Sequence, residues 1–252
     1  MFLTVVCWIL HLIRHGRLSF WILENVPGIK KRRRGDKESW ADWFMREMRA
    51  ELPPGWQVDM MDHNSNLCCL PQDRARCFFV GTSERLRATP LQRRLLAVGP
   101  FTRKAVNLLH FLDLQPAPDD WQLLTLRQQV NLSEQLKQYH ASATDASTVA
   151  IVDVARDPLK QMDTRFKEGG TRTLRTNCSH LWIMPSTKYM STFGDRGRFL
   201  SRAEKCRVAG IVPNSTVDLA DFDLDVAVGN TIPIPLVGHI MYPVVRAWLL
   251  SL

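Results

Sequence analysis

Regular cysteine spacing is the first thing this chain lacks. Its six cysteines are Cys7, Cys68, Cys69, Cys77, Cys178 and Cys206. Irregular placement in a chain this long excludes the disulfide framework of a small secreted domain and reads as reduced intracellular thiols. His63 with Cys68, Cys69 and Cys77 fits no zinc-ligand spacing, so no metal is expected. The start, "MFLTVVCWILHLIRHGR", lacks a positive region before its apolar run and a small-residue cleavage site after it, which excludes a secretory signal. The run is also too short to span a bilayer. No internal repeat is present.

What remains is a chain of 252 residues, enough for one large domain or two smaller ones. Its 45% hydrophobic content supports a proper core. Lys and Arg number 33 against 25 acids, a net charge of +8 that favours an anionic partner such as nucleic acid. The basic run Lys30, Lys31, Arg32, Arg33, Arg34 is a solvated loop, a phosphate-binding patch or a nuclear import signal.

Residues 4–14 predict a buried helix feeding a strand at 20–25. A helix this apolar at a chain start suggests a beginning in the middle of a domain. Trp40, Trp43, Phe44 and Met48 recur at helical spacing, with Asp36 or Ser39 as cap and "ELPPGW" as terminator. Strands follow at 56–61 and 74–81. The alternation resembles half of a doubly wound α/β sheet, with the last two strands as a hairpin at its edge. Residues 82–195 are polar and irregular, with a helix pair around 101–139 and strands at 148–154 and 180–184. From 198 the α/β style resumes. "SRAEKCRVAG" predicts a short helix with a Ser201–Glu204 capping box, and residues 235–252 a terminal helix.

The stretch "FWILENVPGI", residues 20–29, places an acid, Glu24, at the carboxyl end of an apolar strand. Such an acid either caps local structure or serves a ligand, since ligands of open α/β sheets bind outside strand carboxyl ends. Partial burial would let it carry a proton at neutral pH.

Four stretches line up in order: "ENVPGI" (24–29), "PQDRARCFFVG" (71–81), "RFLSRAEKCRVAGIVP" (198–213) and "VGNTIPIPLVGHI" (228–240). Together they resemble the second half of a carbon-5 DNA cytosine methyltransferase, with a variable module between the second and third. In the third stretch Ala209 stands before Gly210 where the family usually has Gln. In "NLCCLPQ" the family tends to have an aromatic and Gly.

The resemblance implies an α/β fold: a partial Rossmann-like methyltransferase sheet carrying an inserted target-recognition module. Residues 1–82 and 196–252 would form the catalytic part and 83–195 the module. The family transfers methyl from S-adenosylmethionine to carbon 5 of a cytosine flipped out of DNA, through a cysteine thiolate that adds to carbon 6. By resemblance Glu24 serves ring nitrogen 3 and Arg76 holds the base carbonyl, with Arg74 beside it. Arg74 and Gln72 would brace the site or touch the DNA backbone. Asn25 and Val26 would set the loop, and Glu204 would support the third motif. Gly229, Asn230 and Thr231 would line the methyl-donor pocket. The Lys30–Arg34 run would meet DNA.

The family's Gly-rich methyl-donor loop and its Pro-Cys nucleophile loop are not among these residues, and no cysteine follows a proline. Three expectations follow. The chain is a methyltransferase part whose other half lies in frame upstream or on a partner; or a non-catalytic DNA-binding remnant; or a regulatory partner of a complete enzyme. Location would be the nucleus in a eukaryote and the cytoplasm otherwise.

Overall fold

In a computed structural model, the described residues are 2–96, 106–115, 120–142, 147–158, 169–172, 174, 180–213 and 218–252. The elements are α1 (Phe2–Arg14), β1 (Phe20–Asn25), α2 (Trp40–Glu51), β2 (Gln57–Asn64), β3 (Gln72–Asp73), β4 (Ala75–Thr82), α3 (Pro90–Leu96), α4 (Leu126–Ser142), β5 (Val149–Asp153), β6 (Thr171–Arg172), β7 (Leu181–Pro185), α5 (Met190–Phe193), β8 (Arg198–Phe199), α6 (Arg202–Ala209), α7 (Asp221–Asn230) and α8 (Ile234–Leu249). Cys178 and part of the expected helix pair lie outside the described residues.

The chain forms two compact units. The first comprises Met1–Asn64, Ala75–Thr102 and Leu236–Leu252; the second comprises Ser65–Arg74 and Arg103–Pro235. Residues 196–235, expected to rejoin the part holding 1–82, cluster instead with the middle of the chain. The physical reason is a buried ion pair, Arg198 with Glu204, that also binds the Asp113 backbone.

In the first unit, β4 lies between β1 and β2 and is antiparallel to both. The expected β2–β4 hairpin forms, but β4 is central rather than at an edge. Alternation along these strands makes two faces. On one, Trp21, Val58, Cys77 and Phe79 form a core with Phe44 and Met48 of α2 and Val6, Ile9 and Ile13 of α1. Ser39 caps α2 by accepting from the Asp42 N–H. Contrary to the buried helix expected at 4–14, α1 buries one stripe only. Leu3, Val5 and Trp8 are exposed, because one sheet face can cover one side of a helix.

In the second unit, β5, β7 and β8 form an antiparallel sheet in the order β5-β7-β8. One core cluster includes Val149, Ile151, Ile183, Cys206 and Leu224, the other Leu132, Tyr139, Val152 and Trp182. The α6 capping box forms with both hydrogen bonds in place, and Gly210 ends the helix in the left-handed conformation, φ 73°. Helix α7 has no counterpart among the sequence expectations. Among the described residues no single helix is long and apolar enough to cross a membrane. Helices α7 and α8 could do so only as a bent pair, and both bury residues in the units.

Candidate functional site

Glu24 ends β1 opposite Phe78 of β4, and Arg76 lies two residues from Phe78, so both side chains project from one sheet face. Arg76 Nε meets Glu24 Oε1 at 2.6 Å, with 11% and 24% of the two side chains exposed. Arg76 Nη1 donates to its neighbour's carbonyl, Ala75 O, at 2.8 Å. Nη2 of Arg76 and Oε2 of Glu24 hydrogen-bond no described residue. The pair thus presents one donor and one acceptor side by side. Burial pulls the Arg76 guanidinium below its ordinary range, and the Glu24 charge opposes that shift. It stays a cation, since no nearby effect approaches the margin of an arginine.

The loop after β1 is held locally. Asn25 Oδ1 accepts from the Val26 N–H at 2.8 Å, and Pro27–Lys30 follow as one turn of 3-10 helix. Lys30 pairs with Asp62 of β2. Hydrogen bonding to Asp62 raises its pKa. Of the five residues expected to meet DNA, Lys30 is therefore committed within the protein, whereas Lys31, Arg32, Arg33 and Arg34 are exposed.

Arg74 has a different role from Arg76. Only 1% exposed, it belongs to the second unit and donates to Leu174 O at 3.2 Å and Gly229 O at 2.7 Å. Such a group braces backbone and cannot reach a DNA phosphate. The contact ties the Gln72–Arg76 motif to the Gly229–Thr231 motif. Gln72, fully buried on β3, pairs in register with Thr171, and its side-chain amide has no partner among the described residues. Gly229 and Asn230 are not in a free turn: they form the last turn of α7, and Thr231 is its C-cap. Glu204 is a structural hub. Both of its oxygens accept from Arg198 at 2.7 Å, and it also accepts from the Ser201 and Asp113 N–H groups at 2.8 and 2.7 Å. Burial would push its pKa up, but these donors outweigh burial and hold it low.

Cysteine chemistry is muted near the pair. Cys77, opposite Asn25 in register, is fully buried, and burial pushes its thiol up to about 11. Burial also raises Cys68. Thiols held protonated are poor nucleophiles. Cys69 adopts the left-handed conformation, φ 61°, that glycine takes without strain. It lies within "NLCCLPQ", the segment that departs from the family's pattern.

Sequence reasoning weighed His63 only as a metal ligand and missed its contact with His239; the two rings meet with centroids 5.4 Å apart. Their positions, 176 residues apart in the chain, carry no local signal.

No protein-family model and no curated protein matches the chain. Solved structures do. The S. pombe Dnmt2 methyltransferase aligns at a TM-score of 0.54 and 12% identity, over 96% of this chain and 71% of that one. The Entamoeba histolytica methyltransferase EhMeth aligns at 0.54 and 13%, over 95% and 68%. A putative DNA modification methyltransferase encoded within an E. coli prophage aligns at 0.55 and 14%, over 95% and 72%. The chain therefore has the mixed α/β fold of these solved methyltransferases.

Proposed function

We propose that the chain is the acid-and-arginine part of a DNA cytosine-5 methyltransferase. The observation that carries this reading is the Glu24–Arg76 pair, with one acceptor and one donor uncommitted at a strand end. On this reading, cytosine unstacked from DNA enters beside the pair. Arg76 Nη2 donates to the base carbonyl. Glu24, carrying a proton on Oε2, donates it to ring nitrogen 3, which neutralises the negative charge that builds on the ring as the thiolate adds to carbon 6. Arg74 and Glu204 act at a distance, by fixing backbone.

S-adenosylmethionine would supply the methyl group. The Asn230 and Thr231 side chains hydrogen-bond no described residue, and they stand at the carboxyl end of α7. An amide and a hydroxyl there can hydrogen-bond a polar ligand. These residues fit one side of such a site. The Gly-rich and Pro-Cys loops would come from another segment, in frame upstream or on a second chain.

The test is co-expression. The chain alone should transfer no methyl group to DNA. Paired with a segment carrying both loops, it should transfer methyl groups and become soluble. Methyl transfer by the lone chain would overturn the division of roles. A second reading, a DNA-binding remnant, is favoured by the four exposed basic residues 31–34. It predicts duplex binding that weakens steeply with salt and no activity with any partner segment.

A further inference from the structure

A cavity of about 800 Å³ lies within the first unit, lined by residues of β2, β4, α3 and α8. Its floor is the sheet face that also bears Glu24 and Arg76. Its middle is apolar: Met61, Val80, Ile240 and Val244 line it. Two polar side chains sit at its ends. Thr82, 4% exposed, pairs in register with Gln57 at one end of β2; His63, 5% exposed, pairs with Arg76 near the other. Six residues of strand separate those ends, roughly 20 Å.

Neither end group is satisfied by the protein. Thr82 has no hydrogen-bond partner for its hydroxyl among the described residues. The His63 ring nitrogens hydrogen-bond no described residue, and the ring packs against Phe78 and His239. Both groups therefore keep hydrogen-bonding capacity for an occupant of the cavity. The wall charges balance. Asp59 and Glu84 are matched in number by Arg87 and Arg93, and the fifth charged wall residue, Asp62, is paired with Lys30. A charged ligand would find as much repulsion as attraction. Burial and the neighbouring His239 lower the His63 pKa against the opposing Asp62 charge, which favours the neutral imidazole. A neutral imidazole offers one donor and one acceptor, as does the Thr82 hydroxyl.

We propose that this cavity is a binding site for an uncharged, elongated amphipathic molecule with an apolar middle and a hydroxyl or amide group at each end. Its volume suits a small organic ligand. The His63 end lies cross-strand from Arg76, but neither Glu24 nor Arg76 lines the cavity. The site is independent of the proposed activity and can be tested without it.

The experiment uses the full chain, alone or with its complementing segment, and decanediol as probe, with decanoate and decylamine as charged comparators. Binding is read from the melting temperature and from the His63 imidazole signals in NMR. Decanediol should raise the melting temperature and shift those signals, and the charged comparators should bind at least about tenfold more weakly. The near-isosteric Thr82→Val should weaken decanediol about tenfold, the equivalent of one buried hydrogen bond. His63→Phe should do the same where it folds. The site is refuted if decanediol does not bind, if decanoate or decylamine binds as well, or if Thr82→Val binds like the parent.

Discussion

Replacing Glu204 by alanine should destabilise the second unit more than any surface change. Glu204 is fully buried and accepts four hydrogen bonds, two from Arg198 and one each from the Ser201 and Asp113 N–H groups. Truncation leaves the Arg198 guanidinium, itself buried, without its counter-charge. Breaking a buried pair from one side costs about 3–5 kcal/mol. Loss of the capping box adds about 1 kcal/mol. The total of about 4–6 kcal/mol corresponds to a fall in melting temperature of roughly 8–24 °C for a unit of this size. Removing both partners, as Arg198→Met with Glu204→Leu, should recover most of it, because no charge is then stranded. Urea unfolding followed by tryptophan fluorescence reads all three chains, with Trp182 in that unit as reporter. A cost below about 1 kcal/mol for Glu204→Ala would refute the buried-pair reasoning, as would a double variant no better than the single one. The pair also carries a pH signature. The folded pKa of Glu204 is depressed, so its stabilisation is present above the unfolded carboxylate value and is lost as pH falls through that range.

The first unit should weaken in mild acid for the opposite chemical reason. Burial lowers the pKa of both His63 and His239, so the unfolded chain binds more protons and stability falls as pH drops below the ordinary histidine value near 6.5. Melting temperatures from pH 8 to pH 5 check this, and the double variant His63→Gln/His239→Gln should flatten the profile. Gly197→Ala should cost about 3 kcal/mol, because the residue has φ 81° and a Cβ there would meet the Ile183 carbonyl oxygen at 1.8 Å. Denaturant midpoints decide it, and a shift under a third of that size would count against the geometry. Neutralising Lys31–Arg34 should lower duplex affinity and flatten its salt dependence, read by fluorescence anisotropy over a salt series.

Local signals proved legible where chemistry is local. Ser39 and the Ser201–Glu204 box announce helix starts because capping is a contact three residues long. The run Phe20–Leu23 announces β1 by its apolar, β-forming side chains, and "RCFFV" announces β4 in the same way. Pairing across the sheet was only half legible. Succession of the two strands along the chain suggested the hairpin, but nothing local to β1 says that it also pairs with β4. Helix α7 was hidden because its acids at 221, 223 and 225 break the apolar pattern and a Gly-Asn pair, 229–230, is a weak helix former. Asp225 is in fact buried and paired with Lys205 at 2.8 Å. The likeness of Arg74 to Arg76 was misleading for the same reason. Alternate positions in one motif carry them into different units, and only the fold shows which one is walled in by carbonyls.

The central claim is that Glu24 and Arg76 act on charge that develops as the base reacts. The most direct measurement is the single-turnover rate of methyl transfer by the reconstituted enzyme, taken beside DNA affinity, for Glu24→Gln and Arg76→Ala. Interactions made only in the transition state appear in rate and not in binding. The account predicts that each variant loses at least about 100-fold in rate, the scale of one lost preorganised donor, while duplex affinity stays within about threefold. Near-normal turnover by either variant, or a loss confined to affinity, would contradict it.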